Sequence, residues 1–436
     1  MMNWMRRGRT LAISGLAFIG LGNPAAFAAE AAKFDTGNTA WVLTASALVL
    51  FMTLPGLALF YGGLVRARNL LSVLMHCFVI CCVVSLLWAV FGYSAAFGGG
   101  GAFIGSLDKA FLAGLGAKRV PGDIPEIVFF MFQLTFAIIT PALIVGAFPE
   151  RVKFPFVVLF SALWLTLVYI PVTHWVWGNG WLAQLGTIDF AGGIVVHTTA
   201  GVSALIAAMV IGRRRGFPHS MVPPHSPGLT MAGAGMLWVG WFGFNGGSAL
   251  AADASAGGAI VATHLAASAA ALTWIAAEWI KVGKPTSIGI VTGCVAGLAT
   301  ITPASGFVGP IGGIAIGIAA GLVCFFATNY VKQRLHIDDS LDVFAVHGVG
   351  GMLGSILVSI FALPVLGGIG LAPGMTFTTQ LAAQLAGVAV VAIWSTVVTY
   401  GLLRLCDALV GLRVSAEEES DGLDLSSHGE RAYEHN

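Results

Sequence analysis

Two stretches of the chain, residues 189–201 and 339–351, carry an aspartate, a histidine and a glycine at identical spacing. The histidines are His197 and His347, and each follows its aspartate by eight residues. Imidazole is the side chain whose protonation changes most readily near neutral pH. Two imidazoles brought together could share a proton with each other or with a small guest, so this pair is the first candidate for chemistry.

The composition indicates the medium in which these histidines act. Of 436 residues, 57% are hydrophobic and 9% are charged, against about 25% charged residues in ordinary soluble domains. The mean hydropathy is +0.88, and the net charge is +1. This composition predicts an all-α polytopic membrane protein and excludes a soluble enzyme or a nucleic-acid-binding protein.

Eleven apolar segments, bounded by charges or by glycine, proline and asparagine, are predicted to cross a hydrocarbon core of about 30 Å. They lie at 39–62, 70–97, 125–148, 154–176, 189–212, 229–249, 256–281, 287–303, 307–331, 341–363 and 377–407.

Basic residues follow every odd-numbered segment: Arg66, Arg68, Arg151, Lys153, Arg213, Arg214, Arg215, Lys281, Lys284, Lys332, Arg334, Arg404 and Arg413. The alternate loops are nearly free of lysine and arginine, apart from the 98–124 loop. By the positive-inside rule, the N-terminus lies outside and the C-terminus inside.

The first 28 residues have the pattern of an export signal. Three arginines precede a short apolar run from Leu11 to about Gly22, and Ala26-Phe-Ala28 forms a cleavage pattern. We expect residues 1–28 to be a cleaved signal peptide of a bacterial protein of the cytoplasmic (inner) membrane. A retained first helix is the alternative, although the run is too short to span.

The two histidine motifs have opposite directions in this topology. The first opens the fifth segment, which runs inward, and the second opens the tenth segment, which runs outward. Inverted repeats of this kind are a recurrent transporter architecture. We therefore expect a transmembrane domain over 29–407, with an inverted 5+5 repeat at about 39–212 and 229–363, an extra helix at 377–407, and a cytoplasmic tail at 408–436.

The spacing also places the histidines in depth. Eight residues of helix rise about 12 Å, so rings entering a core of about 30 Å from opposite sides should meet near its middle. A dry environment there favours the neutral form of imidazole. The alternative is a purely structural hydrogen bond between helices.

The aspartates of the two motifs, Asp189 and Asp339, stand where helix N-caps are expected. Asp189 faces outside, so it could cap its helix, attract cations to an outer entrance, or do both. Asp342 is a candidate second polar anchor at the inner end.

Aromatic clusters lie near the predicted outer helix ends. Phe132 and Phe136 share one helix face, Trp177 ends the fourth segment, and Trp241 begins a cluster that ends at Ser248. Such residues are either interfacial anchors or a cation–π site completed by a hydroxyl. We expect Phe132, Trp241 and Asp189 in an outer vestibule.

At these residues the chain resembles the Amt/Mep/Rh ammonium transporter family, and within it the bacterial Amt type. The segments that carry the resemblance are 51–63, 189–193, 241–248, 342–351 and 422–430, and the likeness covers essentially the whole mature chain.

The resemblance implies an eleven-helix subunit with its own pore, assembled as a homotrimer. It assigns an ammonium-binding site to Phe136, Trp177 and Ser248, and a gate to Phe136 and Phe244. It also matches the twin pore histidines to His197 and His347, and the essential acidic residue to Asp189.

The implied function is ammonium uptake, in which ammonium binds, loses its proton and crosses as ammonia, with a coupled proton as an open question. The alternative is an ammonium sensor, although only about 29 residues follow the last helix. The tail is expected to dock a PII-type regulatory protein or to be solvated and disordered. Neither a cofactor, a metal site, an enzymatic activity nor a nucleic-acid partner is expected.

Overall fold

The computed structural model describes residues 34–116, 119–220 and 223–434. The expected signal peptide at 1–28 lies outside these residues. Within them, one short hairpin pairs β1 (Arg119–Val120) with β2 (Ile124–Pro125), and long helices form the rest of the architecture.

Nine helices in the described part of the chain are long and apolar enough to cross a membrane. They are α1 (Thr36–Leu64), α2 (Ala67–Phe97), α3 (Glu126–Ala147), α4 (Phe154–Gln184), α5 (Gly193–Ile211), α7 (Ala254–Val282), α9 (Pro310–Arg334), α10 (Phe344–Phe361) and α11 (Phe377–Val410).

Two shorter helices stand at the remaining predicted segments: α6 (Pro227–Trp241) and α8 (Ser287–Ile301). The tail forms α12 (Ala416–Asp421) and α13 (Leu423–His428). Every predicted apolar segment thus coincides with one helix, while the count of eleven membrane crossings and their orientation stay predictions.

Helices α5 and α10 cross in direct backbone contact. A methyl group on Gly201 would overlap the backbone of Gly348, and one on Gly351 would lie 2.7 Å from the carbonyl oxygen of Gly193. Glycine is therefore required at this crossing, because any side chain would force the helices apart. The glycines that recur in the two motifs bring the histidines together.

Three π-helical turns lie around this crossing. They are Gly193–Thr198, Phe344–Gly348 and Phe242–Gly246, and they carry His197, His347 and Phe244 respectively. Such wide turns are rare and often occur at functional sites. The local backbone thus departs from the α-helix at both histidines and at Phe244.

A buried ionic cluster joins the loop after α3 to the loop before α10. Arg151 is fully buried and donates to the Ser340 hydroxyl (2.7 Å) and the Asp338 carbonyl (2.8 Å). Arg214 pairs with Asp338 at 2.9 Å and with Glu150 at 3.4 Å. These charges satisfy one another away from water and hold the 338–342 segment, which precedes α10.

The tail packs against its own subunit. The backbone N–H of Leu423 donates to Asn69 Oδ1 at 2.8 Å, and that of Ser72 donates to Asp424 Oδ1, also at 2.8 Å. Glu419 accepts from Arg413 at 2.7 Å. A solvated, disordered tail, one of the two expectations above, does not describe residues 416–428, since these contacts order both of its helices.

Candidate ammonium pathway

A cavity of about 300 Å³ on the side predicted to face outward, named the outer cavity after that prediction, contains the residues expected to bind a cation. Phe136, Trp177 and Ser248 all line it, together with Phe132. The rings of Phe136 and Trp177 are perpendicular, with centroids 5.9 Å apart. The Ser248 hydroxyl donates to the Phe244 carbonyl at 2.9 Å, so its oxygen lone pairs stay available to accept from a bound N–H.

Two phenylalanine rings in close, tilted contact close the floor of this cavity. The centroids of Phe136 and Phe244 are 4.3 Å apart, and both side chains are buried. Phe132 packs on Phe136 from above at 4.9 Å. Because Phe244 also stacks on His197 at 6.0 Å, this ring pair separates the cavity from the histidines.

The two histidines meet as the repeat predicted. Nδ1 of His197 and Nδ1 of His347 are 3.2 Å apart and share a hydrogen bond, and both rings are buried. One nitrogen must donate and the other accept, since two N–H groups cannot point at each other along one bond. The pair therefore cannot hold a proton on all four of its nitrogens in this geometry.

The remaining nitrogen of His197 is open to the pathway. Its Nε2 is buried and has no hydrogen-bond partner among the described residues. A buried imidazole nitrogen without a partner is costly, and a small guest with an N–H or a lone pair could satisfy it.

Trp241 does not lie in the outer cavity, where the sequence placed it. Its ring stacks on His197, with centroids 5.5 Å apart, and its indole N–H donates to the Thr302 hydroxyl at 2.8 Å. It lies on the inner side of Phe244, because the π-helical turn after α6 carries the chain from the histidine level up to Ser248. Trp241 therefore lines the narrow space beside the histidines.

The space beside the histidines is narrow and apolar. It has a volume of about 10 Å³, which is at the lower limit for one water molecule. Its walls are Met52, Leu57, Phe60, Ile139, Leu143, Val196, His197, Leu237, Trp241, Phe244, Val295 and His347. Apart from the imidazoles and one indole, nothing there can solvate an ion.

An inner cavity of about 180 Å³ begins at His347 on the opposite side. Its walls combine apolar side chains with Arg214, Lys332, Ser340 and Asp342. The outer cavity, the phenylalanine pair, the histidines and the inner cavity thus follow one another along a single path.

The two aspartates of the repeat occupy different environments. The Asp189 carboxylate accepts four backbone N–H groups at 2.7–3.0 Å, from Gly192 to Val195. It therefore caps α5 and does not line the outer cavity. Asp339 accepts at 2.7 Å from the N–H of Phe344, and its Oδ1 is buried without a partner among the described residues. Burial, and then the Asp342 carboxylate, raise the pKa of Asp339 to about 7.

Sequence reasoning missed several wall residues. Met52, Ile139, Leu143 and Val295 come from three different helices, α1, α3 and α8, and Thr302 orients the Trp241 indole. Apolar residues in apolar helices carry no signal that distinguishes a pore face from a lipid face. Lys332 was noted only as a loop charge, although it lies in the inner cavity.

Comparison with known proteins finds relatives over nearly the whole chain. Residues 40–433 match the model of the Ammonium Transporter Family. An ammonium transporter of Aquifex aeolicus is 49% identical over 94% of this chain and 96% of its own length. Ammonium transporter Amt1 of Archaeoglobus fulgidus is 47% identical over 91% of this chain and 99% of its own length.

Solved structures show the same fold. A sensor Amt protein superimposes with a TM-score of 0.85 at 32% identity, over 90% of this chain and 98% of its own. Saccharomyces cerevisiae Mep2 superimposes with a TM-score of 0.81 at 36% identity, over 89% of each chain. The chain therefore belongs to the ammonium transporter family and is a multi-pass membrane protein.

Proposed function

We propose that this protein takes up ammonium by binding it in the outer cavity, removing its proton and passing ammonia along the histidine pair to the inner cavity. The observation that supports this most strongly is the order of the sites. An aromatic and hydroxyl cavity is followed by a closed phenylalanine pair, a dry histidine pair and a polar inner cavity.

The outer cavity suits ammonium in both charge and hydrogen bonding. The faces of Phe136 and Trp177 attract a cation, and Ser248 accepts one of its N–H bonds. A partly desolvated cation–π contact contributes about 1–2 kcal/mol, which is sufficient to concentrate the ion without trapping it.

The narrow space beyond the phenylalanines selects for a molecule that can become neutral. An ion without its hydration shell is very unfavourable in an apolar medium. Ammonium can lose its proton and enter as ammonia, whereas potassium cannot lose its charge. The partnerless Nε2 of His197 then offers ammonia a hydrogen bond inside the pore.

The fate of the proton decides whether transport carries charge. The Nδ1–Nδ1 contact between the two histidines lets a proton on one ring be exchanged for a proton on the other. We propose that the proton follows ammonia along this pair, which makes uptake electrogenic. Neutral ammonia conduction is the alternative.

The test is the current from proteoliposomes on a solid-supported membrane after pulses of ammonium, methylammonium or potassium. We expect an ammonium-selective current that falls in both His197→Ala and His347→Ala. If the wild-type protein gives no current, but ammonia flux still changes the pH of the vesicle interior, the protein conducts neutral ammonia instead. Absence of both signals would favour the sensor function.

We further propose the assembly and topology that the sequence indicated. These are a homotrimer of subunits with eleven spans, an outer N-terminus after signal cleavage and an inner C-terminus in a bacterial cytoplasmic membrane. The inner face carries the basic loops and the packed tail, which supports a PII-type partner there. Native mass spectrometry of the detergent-solubilised protein, alone and with a PII protein, tests the trimer and the partner together.

A further inference from the structure

The two repeats differ at the third residue after each aspartate. In the outer copy this residue is Gly192, with φ of 123°, and in the inner copy it is Asp342, with φ of 62°. Both values lie in the region that glycine adopts freely and that costs other residues roughly 1 kcal/mol. Aspartate is one of the few residues besides glycine that adopt this region, so Asp342 suits the turn and in addition places a carboxylate there, which Gly192 does not.

The Asp342 carboxylate lies in the inner cavity against an ammonium group of the protein itself. Its Oδ2 is 2.8 Å from Nζ of Lys332, and the same Nζ is 3.3 Å from the carbonyl oxygen of Ser340. All three residues line the cavity that begins at His347. The lysine and aspartate side chains are 25% and 20% exposed, so solvent and small ions can reach them.

Lysine ends in an R–NH₃⁺ group, which has the same charge as ammonium and the same kind of N–H donor, with one donor fewer. A carboxylate and a carbonyl that hold this group are therefore already placed to hold a free ammonium ion. Because Lys332 is tethered by a flexible four-carbon chain, it can move aside when another cation competes for these oxygens.

The other charges around Asp342 do not take its place. Arg214, which also lines the cavity, is engaged by Asp338 and Glu150. Asp339 is fully buried and is not among the residues that line the cavity, and its raised pKa reduces its negative charge at neutral pH. The cavity thus offers one accessible carboxylate, with one movable lysine on it.

We propose that the Asp342 carboxylate and the Ser340 carbonyl form an ammonium-binding site at the inner end of the pathway, for which Lys332 acts as a tethered competitor. The site accepts ammonium and small primary alkylammonium ions. This proposal rests on the proposed function, which sets the direction in which ammonium reaches the site. Return of Lys332 to the carboxylate displaces the ion towards the inner solution.

Binding can be tested without transport. Crystals of Lys332→Met soaked in thallium(I), a monovalent cation close to ammonium in size, should show anomalous density between Asp342 and Ser340. The density should disappear in Lys332→Met/Asp342→Gly, which keeps a residue suited to the positive φ. Lys281→Met is the matched control, because that lysine lies over Phe325 and Phe326 instead. Absence of density in Lys332→Met, or its persistence in the double variant, overturns the proposal.

Transport measured from both sides gives a second test. In Lys332→Met, the internal ammonium concentration that halves the inward current should fall about fivefold, an ordinary factor for a partly exposed ion pair. In Asp342→Gly it should rise, while the external half-saturating concentration stays unchanged in both. Unchanged internal inhibition contradicts the inner site. Loss of current in the wild-type protein contradicts the proposed function and leaves the thallium result to decide the site.

Discussion

Replacing Gly351 with alanine tests whether contact between the two histidines is needed for transport. This glycine lies in α10, and it faces the α5 turn that carries His197. The substitution adds one methyl group and no charge. It therefore alters the distance between helices without altering the chemistry of either imidazole.

The structure sets the size of the expected displacement. A methyl group on Gly351 would lie 2.6 Å from Cβ of His197 and 2.7 Å from the Gly193 carbonyl oxygen. Carbon atoms in contact are about 3.5–4.0 Å apart, so α5 and α10 must separate locally by about 1 Å. The Nδ1–Nδ1 distance of 3.2 Å would then become about 4 Å, which is too long for a hydrogen bond.

We expect Gly351→Ala to reduce the ammonium-evoked current to the level of the single histidine variants. Overpacking of this kind also destabilises by about 1–3 kcal/mol, so controls must separate the two effects. Gly350→Ala overpacks the same helix against Thr300 Oγ1, 2.8 Å from the new methyl group. Gly401→Ala adds a methyl group where no atom lies within 4 Å.

Both controls should keep their current, and the melting temperature of each protein in detergent reports stability separately. A Gly351→Ala protein that keeps the wild-type current would refute the reasoning, because the helices would have separated without consequence. If Gly350→Ala loses as much current as Gly351→Ala, the loss of current results from reduced stability and not from the broken histidine contact.

Three further predictions concern the outer cavity, the α5 cap and the inner ionic cluster. Ser248→Ala should raise the external half-saturating ammonium concentration about tenfold to a hundredfold, because a hydrogen bond to a charged group contributes about 1.5–3 kcal/mol; an unchanged value would exclude this hydroxyl from binding. Asp189→Asn turns an amide N–H₂ towards backbone N–H donors. This substitution should therefore destabilise the folded protein by about 2 kcal/mol or more and reduce the current. Asp253→Asn, at the exposed cap of α7, should change neither the stability nor the current. Arg214→Gln should lower the melting temperature at pH 7. Burial raises the pKa of Glu150, but Arg214 and Arg66 outweigh this effect and hold that pKa below its ordinary value. The stabilisation that Glu150 gains from these arginines is therefore present at neutral pH and is lost as the pH falls below about 4. If the difference in melting temperature between Arg214→Gln and the wild-type protein stays constant down to pH 3, the charge pairing is not the source of that difference.

Several features could be predicted from the sequence because they depend on composition and spacing along one helix. Apolar length alone located each helix, since a lipid-exposed backbone must satisfy its own hydrogen bonds, although the ends of α4 and α6 differ from the predicted ends by eight residues. The repeated aspartate-to-histidine spacing indicated that two imidazoles would meet. That inference held because the helix rise per residue is constant.

Other features depend on distances between helices and could not be predicted. Trp241 illustrates this, because its place near Ser248 in the sequence suggested the outer vestibule. The π-helical turn at Phe242–Gly246 instead leaves Trp241 beside His197 and carries Ser248 to the outer cavity. A π-helical turn has an extra residue relative to an α-helical turn, so it changes the direction of the side chains that follow. Amino-acid composition does not predict where such a turn occurs.

The sequence by itself determined the membrane setting, the positions of the helices and the identity of the paired histidines, because these follow from hydrophobicity and periodicity. Only the tertiary structure decided which apolar residues surround the histidines, that Trp241 packs on His197, and that Lys332 occupies the carboxylate of Asp342. Those facts arise where helices distant in the chain come into contact, and packing between helices is set by the shapes of all the side chains at once.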